Sequence, residues 1–109
     1  MTYFQCPYLD SDVELTEERE EHIVQQHPDL LPKFRQAIVD TLADPDQIRR
    51  SSRFADARLF TRWFKTIKDG KYVVVIVVSD AEHSKRHWII TAYIARKLAK
   101  GREVEWERS

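Results

Sequence analysis

Residues 57–78, ARLFTRWFKTIKDGKYVVVIVV, predict two antiparallel strands joined by a tight turn. Residues 57–67 alternate between the two faces and are rich in aromatic side chains, as is typical of a strand. The Asp69-Gly70 pair can supply the positive φ angles that a hairpin turn needs. Residues 72–78 are apolar on both faces, which predicts a central strand of the sheet.

Two helices are predicted ahead of this hairpin. Thr16 is a suitable N-cap with carboxylates in the following turn, and Pro28 disfavours helical geometry at the residue before it. These signals predict a first helix over residues 16–26. Apolar side chains then recur at three- and four-residue steps, which predicts an amphipathic helix over residues 29–43.

Further strands are predicted after the helices. Residues 87–95 form the third long strand, residues 47–52 a short edge strand, and residues 104–106 a last short strand. The loop that precedes residue 87 is too short for a crossover, so the last two long strands are expected to be antiparallel. The order indicates an α+β fold, with two N-terminal helices packed on one face of a four-stranded antiparallel sheet. We expect a single domain over residues 1–109.

The two faces of the last long strand are expected to differ. Side chains alternate between the faces of a strand. Trp88, Ile90 and Ala92 form an apolar set that belongs against the helices. The opposite face, which the helices leave open, is then expected to carry His87, Ile89, Thr91, Tyr93 and Ala95.

The composition is that of a globular domain without a membrane segment. Hydrophobic residues make up 42% of the 109 residues and charged residues 33%, and no apolar run approaches the ~20 residues of a membrane-spanning helix. The first residues lack the basic and apolar regions of a signal peptide. The single cysteine, Cys6, is expected to be inert in a frayed N-terminal segment, and it fits a reducing compartment. We therefore expect a cytoplasmic protein; its oligomeric state stays open.

The zero net charge hides a split between the two parts of the chain. Residues 1–45 hold three basic and ten acidic groups, a balance of −7, whereas residues 46–109 hold 15 basic and eight acidic groups, a balance of +7. A basic half predicts a polyanionic partner such as RNA. The alternative is that the acidic helices dock beside a basic sheet and neutralise it.

The chain holds the residue types that metal-independent RNA cleavage needs. Such cleavage requires a base, an acid and cations that stabilise the phosphorane-like transition state, and histidine, arginine and lysine suit these roles. Each candidate also has a purely structural interpretation, as a packing residue, a residue that favours strands or a charged residue on a solvent-exposed sheet edge. Arg58 and Arg62 are interpreted as residues of such an edge. Histidine spacing disfavours a metal site, and we expect no cofactor. The candidates are His22, Arg49, Arg50, Lys65, Arg86, His87, Thr91 and Tyr93.

Four segments resemble small phage- and prokaryote-associated domains of the barnase–EndoU–colicin–RelE (BECR) nuclease superfamily. They are LTEEREEHIVQQHPDL (15–30), LADPDQI (42–48), YVVVIVV (72–78) and IITAY (89–93). The family helix pattern T-x-x-R-x-x-H-I-x-x-x-H-P is matched by Thr16, Arg19, His22, Ile23, His27 and Pro28. The resemblance covers about residues 14–106.

The resemblance implies a RelE-like or barnase-like fold and metal-independent RNA cleavage that leaves a 2′,3′-cyclic phosphate. It also implies a toxin or conflict system, with an antitoxin or immunity protein as partner. Carried over by position, His22 is the acid/base candidate, and Thr91 and Tyr93 are strand residues of the site, so we expect His22 and Tyr93 to border one cleft. The RNA-binding candidates come from charge rather than from a motif: Arg49, Arg50, Lys65, Arg86 and His87. The alternative is a non-enzymatic module that binds nucleic acid or protein on the same face, or a purely structural domain.

Overall fold

A seven-stranded mixed sheet dominates the fold. The computed structural model describes residues 1–51, 56–80, 86–98 and 103–108. In these ranges two α-helices, α1 (Glu17–Gln26) and α2 (Arg35–Ala43), and a 3-10 turn (Pro7–Leu9) accompany the sheet. The strands are β1 (Thr2–Cys6), β2 (Ser11–Leu15), β3 (Gln47–Arg50), β4 (Ala57–Phe64), β5 (Lys71–Ser79), β6 (His87–Ala95) and β7 (Val104–Glu107).

The strand order is β1-β2-β6-β5-β4-β3-β7. Every neighbouring pair is antiparallel except β2 and β6, which run parallel with Val13 opposite His87. The antiparallel pairing of β5 with β6 is confirmed. The predicted fold, with two N-terminal helices on a four-stranded antiparallel sheet, is wrong. The chain begins with strands rather than helices, and the sheet is larger and mixed.

The N-terminal hairpin is the main feature that the prediction lacked. β1 pairs with β2 from Thr2 opposite Leu15 to Cys6 opposite Ser11. Phe4 and Cys6 on β1, and Val13 and Leu15 on β2, alternate with polar residues and are buried. This period-two burial holds the hairpin against the core. The expectation that Cys6 lies in a frayed segment is wrong, since the residue is only 1% exposed.

The helices begin and end at local signals. The Arg19 backbone N–H donates to Thr16 Oγ1 at 3.2 Å, so Thr16 is the N-cap of α1. α2 begins at Arg35, later than predicted, because residues 27–34 form successive turns rather than helix. Pro28 and Pro32 lack the backbone N–H that a continuous helix would need there. No helix in the described ranges is long and apolar enough to cross a bilayer.

The sheet has a helix face and an outer face. On the helix face, Phe60, Val75 and Ala92 lie side by side on β4, β5 and β6 and are fully buried. α2 packs against β1, β4 and β5, and α1 packs against β6. On the outer face, Val74 lies between Thr61 and Tyr93.

A register shift in β6 changes the assignment of its faces. Ile76 pairs with Thr91 but Val77 pairs with Ile89, so Ile90 is an extra residue in the strand. Such a bulge reverses the alternation along the strand. Ile89, rather than Trp88, therefore joins Ala92 in the core, and both are fully buried. The prediction that Ala92 faces the helices is confirmed, and the same prediction for Trp88 and Ile90 is wrong. His87 and Ile89, predicted on the open face, lie on the helix face, while Thr91 and Tyr93 lie on the face opposite Ala92.

Candidate active site

An open cavity of about 490 Å³ lies on the helix face where β4 begins, β5 ends and β6 begins. The 3-10 turn of the N-terminal hairpin forms one wall, and the ring of Tyr8 meets Phe60 edge-on with centroids 6.1 Å apart. We call it the His87 cavity. It is lined by Tyr8, Leu9, Arg50, Asp56, Arg58, Ser79, Asp80 and His87.

The His87 side chain is fixed by strand pairing. Ser79 on β5 lies directly opposite His87 on β6, and side chains of such a pair share one face. Ser79 Oγ and His87 Nδ1 are 2.6 Å apart and share a hydrogen bond. His87 is 4% exposed, and burial, together with the charge of Arg58, lowers its pKa. The imidazole is therefore neutral at pH 7, which suits a proton acceptor.

Two arginines and a tyrosine converge on Glu105 of β7 beside this histidine. Arg58 Nε donates to Glu105 Oε2 at 2.7 Å, and Arg50 Nε lies 2.6 Å from Glu105 Oε1. The Tyr8 hydroxyl donates to Oε2 at 2.6 Å. Arg58 Nη1 also donates to Ser79 Oγ at 3.4 Å, which links this cluster to the imidazole.

The charges of this cluster set the protonation of its members. Burial raises the pKa of Glu105, but hydrogen bonds from Tyr8 and Arg58, and the charges of Arg58 and Arg50, outweigh burial and lower it. The carboxylate is thus ionised at neutral pH. Burial, and then the hydrogen bond to Glu105, raise the pKa of Tyr8, so its phenol stays protonated.

A second bulge explains why the Glu105 side chain reaches Tyr8 and the two arginines. Ile48 on β3 pairs with Trp106, while Arg49 pairs with Val104, so Glu105 is the extra residue of β7. Its side chain is turned to the helix face, where it is 17% exposed.

No family model, curated protein or solved structure matches this chain. The resemblance to the BECR nucleases stays a prediction. Among the described residues, no group of three or more histidine, cysteine, aspartate or glutamate side chains is placed to hold a metal ion.

The structure divides the predicted site residues between two places. Arg50 and His87 line the His87 cavity. Arg49 and Tyr93 line a smaller cavity of about 120 Å³ on the outer face, which Leu98 helps to enclose. These cavities lie on opposite faces of the sheet.

The other predicted residues lie away from both cavities. His22 is exposed on α1, and the ring beside Tyr93 is that of His27, with centroids 5.8 Å apart. Thr91 Oγ1 is buried and has no hydrogen-bond partner within the described ranges. Lys65 is exposed after the end of β4, and Arg86 is paired with a carboxylate of β2, its Nε 3.0 Å from Glu14 Oε2.

Sequence reasoning missed four residues of the cluster: Tyr8, Arg58, Ser79 and Glu105. Arg58 carried a usable signal, because it shares the helix face with the buried Phe60, where an arginine needs a partner. Arg62 carries the same signal but has a structural role, since its Nη1 donates to the Asp44 carbonyl at the end of α2. Tyr8 and Glu105 carried none, since their pairing depends on the whole fold.

Proposed function

We propose that this protein is an endoribonuclease that cleaves RNA by acid–base chemistry without a metal ion, with the His87 cavity as its active site. The observation that carries the proposal is that His87, with its lowered pKa, lines one open cavity together with Tyr8, Arg50 and Arg58, the three residues that Glu105 bridges. The resemblance to the BECR superfamily and the basic second part of the chain support it.

His87 is the base in this proposal. Its lowered pKa leaves a neutral imidazole that can take the proton of a ribose 2′-hydroxyl. When Nδ1–H donates to Ser79 Oγ, Nε2 presents its lone pair to the substrate. Ser79 is a positioning residue that holds this orientation. The same lowered pKa argues against His87 as the acid.

Tyr8 is the acid, and the arginines stabilise charge. The 2′-oxygen attacks phosphorus, and the bond to the 5′-oxygen breaks as that oxygen takes the Tyr8 proton. Arg50 and Arg58 face the negative charge that develops on the phosphoryl oxygens. The products are a 2′,3′-cyclic phosphate and a 5′-hydroxyl, and solvent returns a proton to Tyr8 and removes one from His87.

The biological setting is part of the proposal. The resemblance supports a toxin or conflict-system component whose activity an antitoxin or immunity protein blocks. The single Cys6 supports work in the reducing cytoplasm.

The test is cleavage of a labelled RNA oligonucleotide by the purified protein in EDTA. We expect products with 2′,3′-cyclic phosphate ends, and a His87→Ala variant at least about 100-fold slower, since general acid–base catalysis contributes 10²–10⁴-fold. Gln26→Ala, at an exposed position of α1, is the control. Intact RNA with the wild-type protein would overturn the proposal. If His22→Ala lost RNA cleavage and His87→Ala kept it, the active site would lie at α1 and not in the His87 cavity.

A second candidate function is nucleic-acid binding without catalysis. Trp63 favours it, because this residue is 44% exposed and meets Tyr72 at 4.9 Å between ring centroids. Exposed aromatic rings can stack on bases. In the same assay, a binding module would retard the RNA in a native gel and leave it intact, and Trp63→Ala would abolish that retardation.

A further inference from the structure

The smaller cavity on the outer face of the sheet has no part in the proposed function. Its floor is a row of side chains on three neighbouring strands, with Val74 of β5 between Thr61 of β4 and Tyr93 of β6. Thr61 and Val74 are each 2% exposed, although they lie on the face opposite the buried Phe60. Leu98, in the chain after β6, helps to enclose this space, which we call the outer cavity.

We propose that the outer cavity binds a small organic carboxylate, whose apolar body enters the cavity while its charged group stays beside Lys97. This site is separate from the proposed active site, because the His87 cavity lies on the opposite face of the sheet. The inference therefore goes beyond the proposed function and does not rest on it.

The charges of the lining favour an anion. Lys97 and Arg49 are the two charged residues of the outer cavity, and both are cations. Arg49 Nε donates to the side-chain oxygen of Gln47 at 2.5 Å, so a neutral amide helps to hold this guanidinium group beside the cavity. Lys97 is exposed, and within the described ranges no carboxylate pairs with it. Its ammonium group is therefore accessible to an anion, whatever contacts Arg49 keeps.

The apolar part of the lining favours a carboxylate over a phosphate. Four lining residues have no polar side-chain atom, namely Leu59, Val74, Ala95 and Leu98. The Thr61 hydroxyl donates to the Gln47 carbonyl, so its proton is already used. A phosphate would place oxygens against the apolar side chains without donors, which is costly. A carboxylate has only two oxygens, which the Lys97 ammonium group and the Tyr93 hydroxyl can satisfy.

The volume of the outer cavity sets the size of the ligand. It measures about 120 Å³, and an apolar cavity of about 150 Å³ binds benzene. Because Lys97 is exposed, the charged group of the ligand can stay in contact with water. A carboxylate with a body of about the size of a benzene ring therefore fits, and benzoate is the probe that we choose.

The first test titrates the wild-type protein with benzoate and follows the backbone amide signals by NMR at about pH 7. We expect a Kd on the order of 1 mM, with signals shifted at Val74, Tyr93 and Ala95. Benzamide is the matched ligand, because it has the same size and shape but no charge. We expect it to bind at least about threefold more weakly, since it loses the charge-assisted contact with Lys97.

The second test uses three variants to locate the site. Ala95→Leu fills the cavity from β6, so we expect it to bind benzoate at least about tenfold more weakly. Lys97→Gln removes the cation, so benzoate should bind about two- to fivefold more weakly while the affinity for benzamide stays unchanged. Lys68→Gln is the matched control, because it removes the same charge from an exposed position in the turn after β4. It should stay within about 1.5-fold of the wild type.

Four outcomes would overturn the inference: no benzoate binding by the wild type, equal affinities for benzoate and benzamide, an unchanged benzoate affinity in Lys97→Gln, or shifts centred on Arg50 and His87. The comparison of benzoate with benzamide uses the wild type alone, so it decides even if Ala95→Leu does not fold. RNA cleavage is not measured in either test, so the carboxylate site and the nuclease fail separately.

Discussion

Replacing Gly70 by alanine tests the hairpin that joins β4 to β5. Gly70 has φ +110°, and a Cβ built on it would lie 2.4 Å from Trp63 Cζ2 and 3.0 Å from Cη2. The substitution therefore meets two obstacles, a backbone conformation that L-residues rarely adopt and a ring in the way. Because Trp63 is 44% exposed, its ring can swing aside, but it then leaves Tyr72.

The expected cost follows from these two obstacles. A residue in a sparsely populated φ/ψ region costs about 1–3 kcal/mol, and loss of an edge-to-face aromatic pair costs about 0.5–1.5 kcal/mol. Alanine has less conformational freedom than glycine in the unfolded chain, and this difference offsets about 0.4–1 kcal/mol of the cost. We expect Gly70→Ala to lower the free energy of unfolding by about 0.5–4 kcal/mol. With an unfolding entropy of about 2.1 cal/mol/K per residue, the Tm falls by roughly 2–17 °C.

Thermal unfolding followed by circular dichroism measures this cost in two backgrounds. In Trp63→Ala the ring is absent, so Gly70→Ala should cost about 1 kcal/mol less than it does in the wild type. Equal costs in both backgrounds would refute the contact between the ring and position 70. A cost near zero in both would refute the conformational reasoning.

The lowered pKa of His87 makes stability depend on pH. As the pH falls, the imidazole of the unfolded chain, with a pKa of about 6.5, is protonated at a higher pH than the imidazole of the folded protein. The stability that neutral His87 contributes is therefore complete above about pH 6.5 and is lost as the pH falls through the pKa of the folded protein. Urea unfolding between about pH 8 and pH 5 should show this decrease in the free energy of unfolding, and the decrease should be smaller in His87→Asn. The same dependence of the free energy of unfolding on pH in both proteins would contradict the prediction. Cys6 is buried, and burial raises its pKa, so iodoacetamide should modify it on the order of 100-fold more slowly in the native protein than in urea, as read by mass spectrometry. Equal rates would show that β1 frays.

The long elements could be predicted because their signals are local. β6 spans the predicted residues 87–95, and α1 begins after the predicted N-cap. β4 ends at Phe64, three residues earlier than predicted, because Ile67 and Gly70 donate backbone hydrogen bonds within the turn. The N-terminal hairpin was missed because its strands are five residues each, too short for a clear period, and their burial depends on distant partners.

The faces of the strands were harder to predict than the strands themselves. One extra residue, Ile90 in β6 or Glu105 in β7, reverses the alternation, and a period-two pattern cannot reveal where such a residue falls. His87 and Arg50 were recognised by residue type alone. The contacts that make them candidates became visible only once strand pairing placed Ser79 beside the imidazole and Glu105 beside the guanidinium group.

The hydrogen bond between Tyr8 and Glu105 spans 97 positions of the chain. Ribosomes make proteins from the N-terminus, so a nascent chain that has reached Ser79 holds the tyrosine and both arginines but lacks the imidazole. The parallel pairing of β2 with β6 forms later still, when His87 has left the exit tunnel. A chain that stops before His87 therefore lacks part of the His87 cavity, and the nuclease proposed above could not act on the message or the ribosome producing it before residue 87 has emerged.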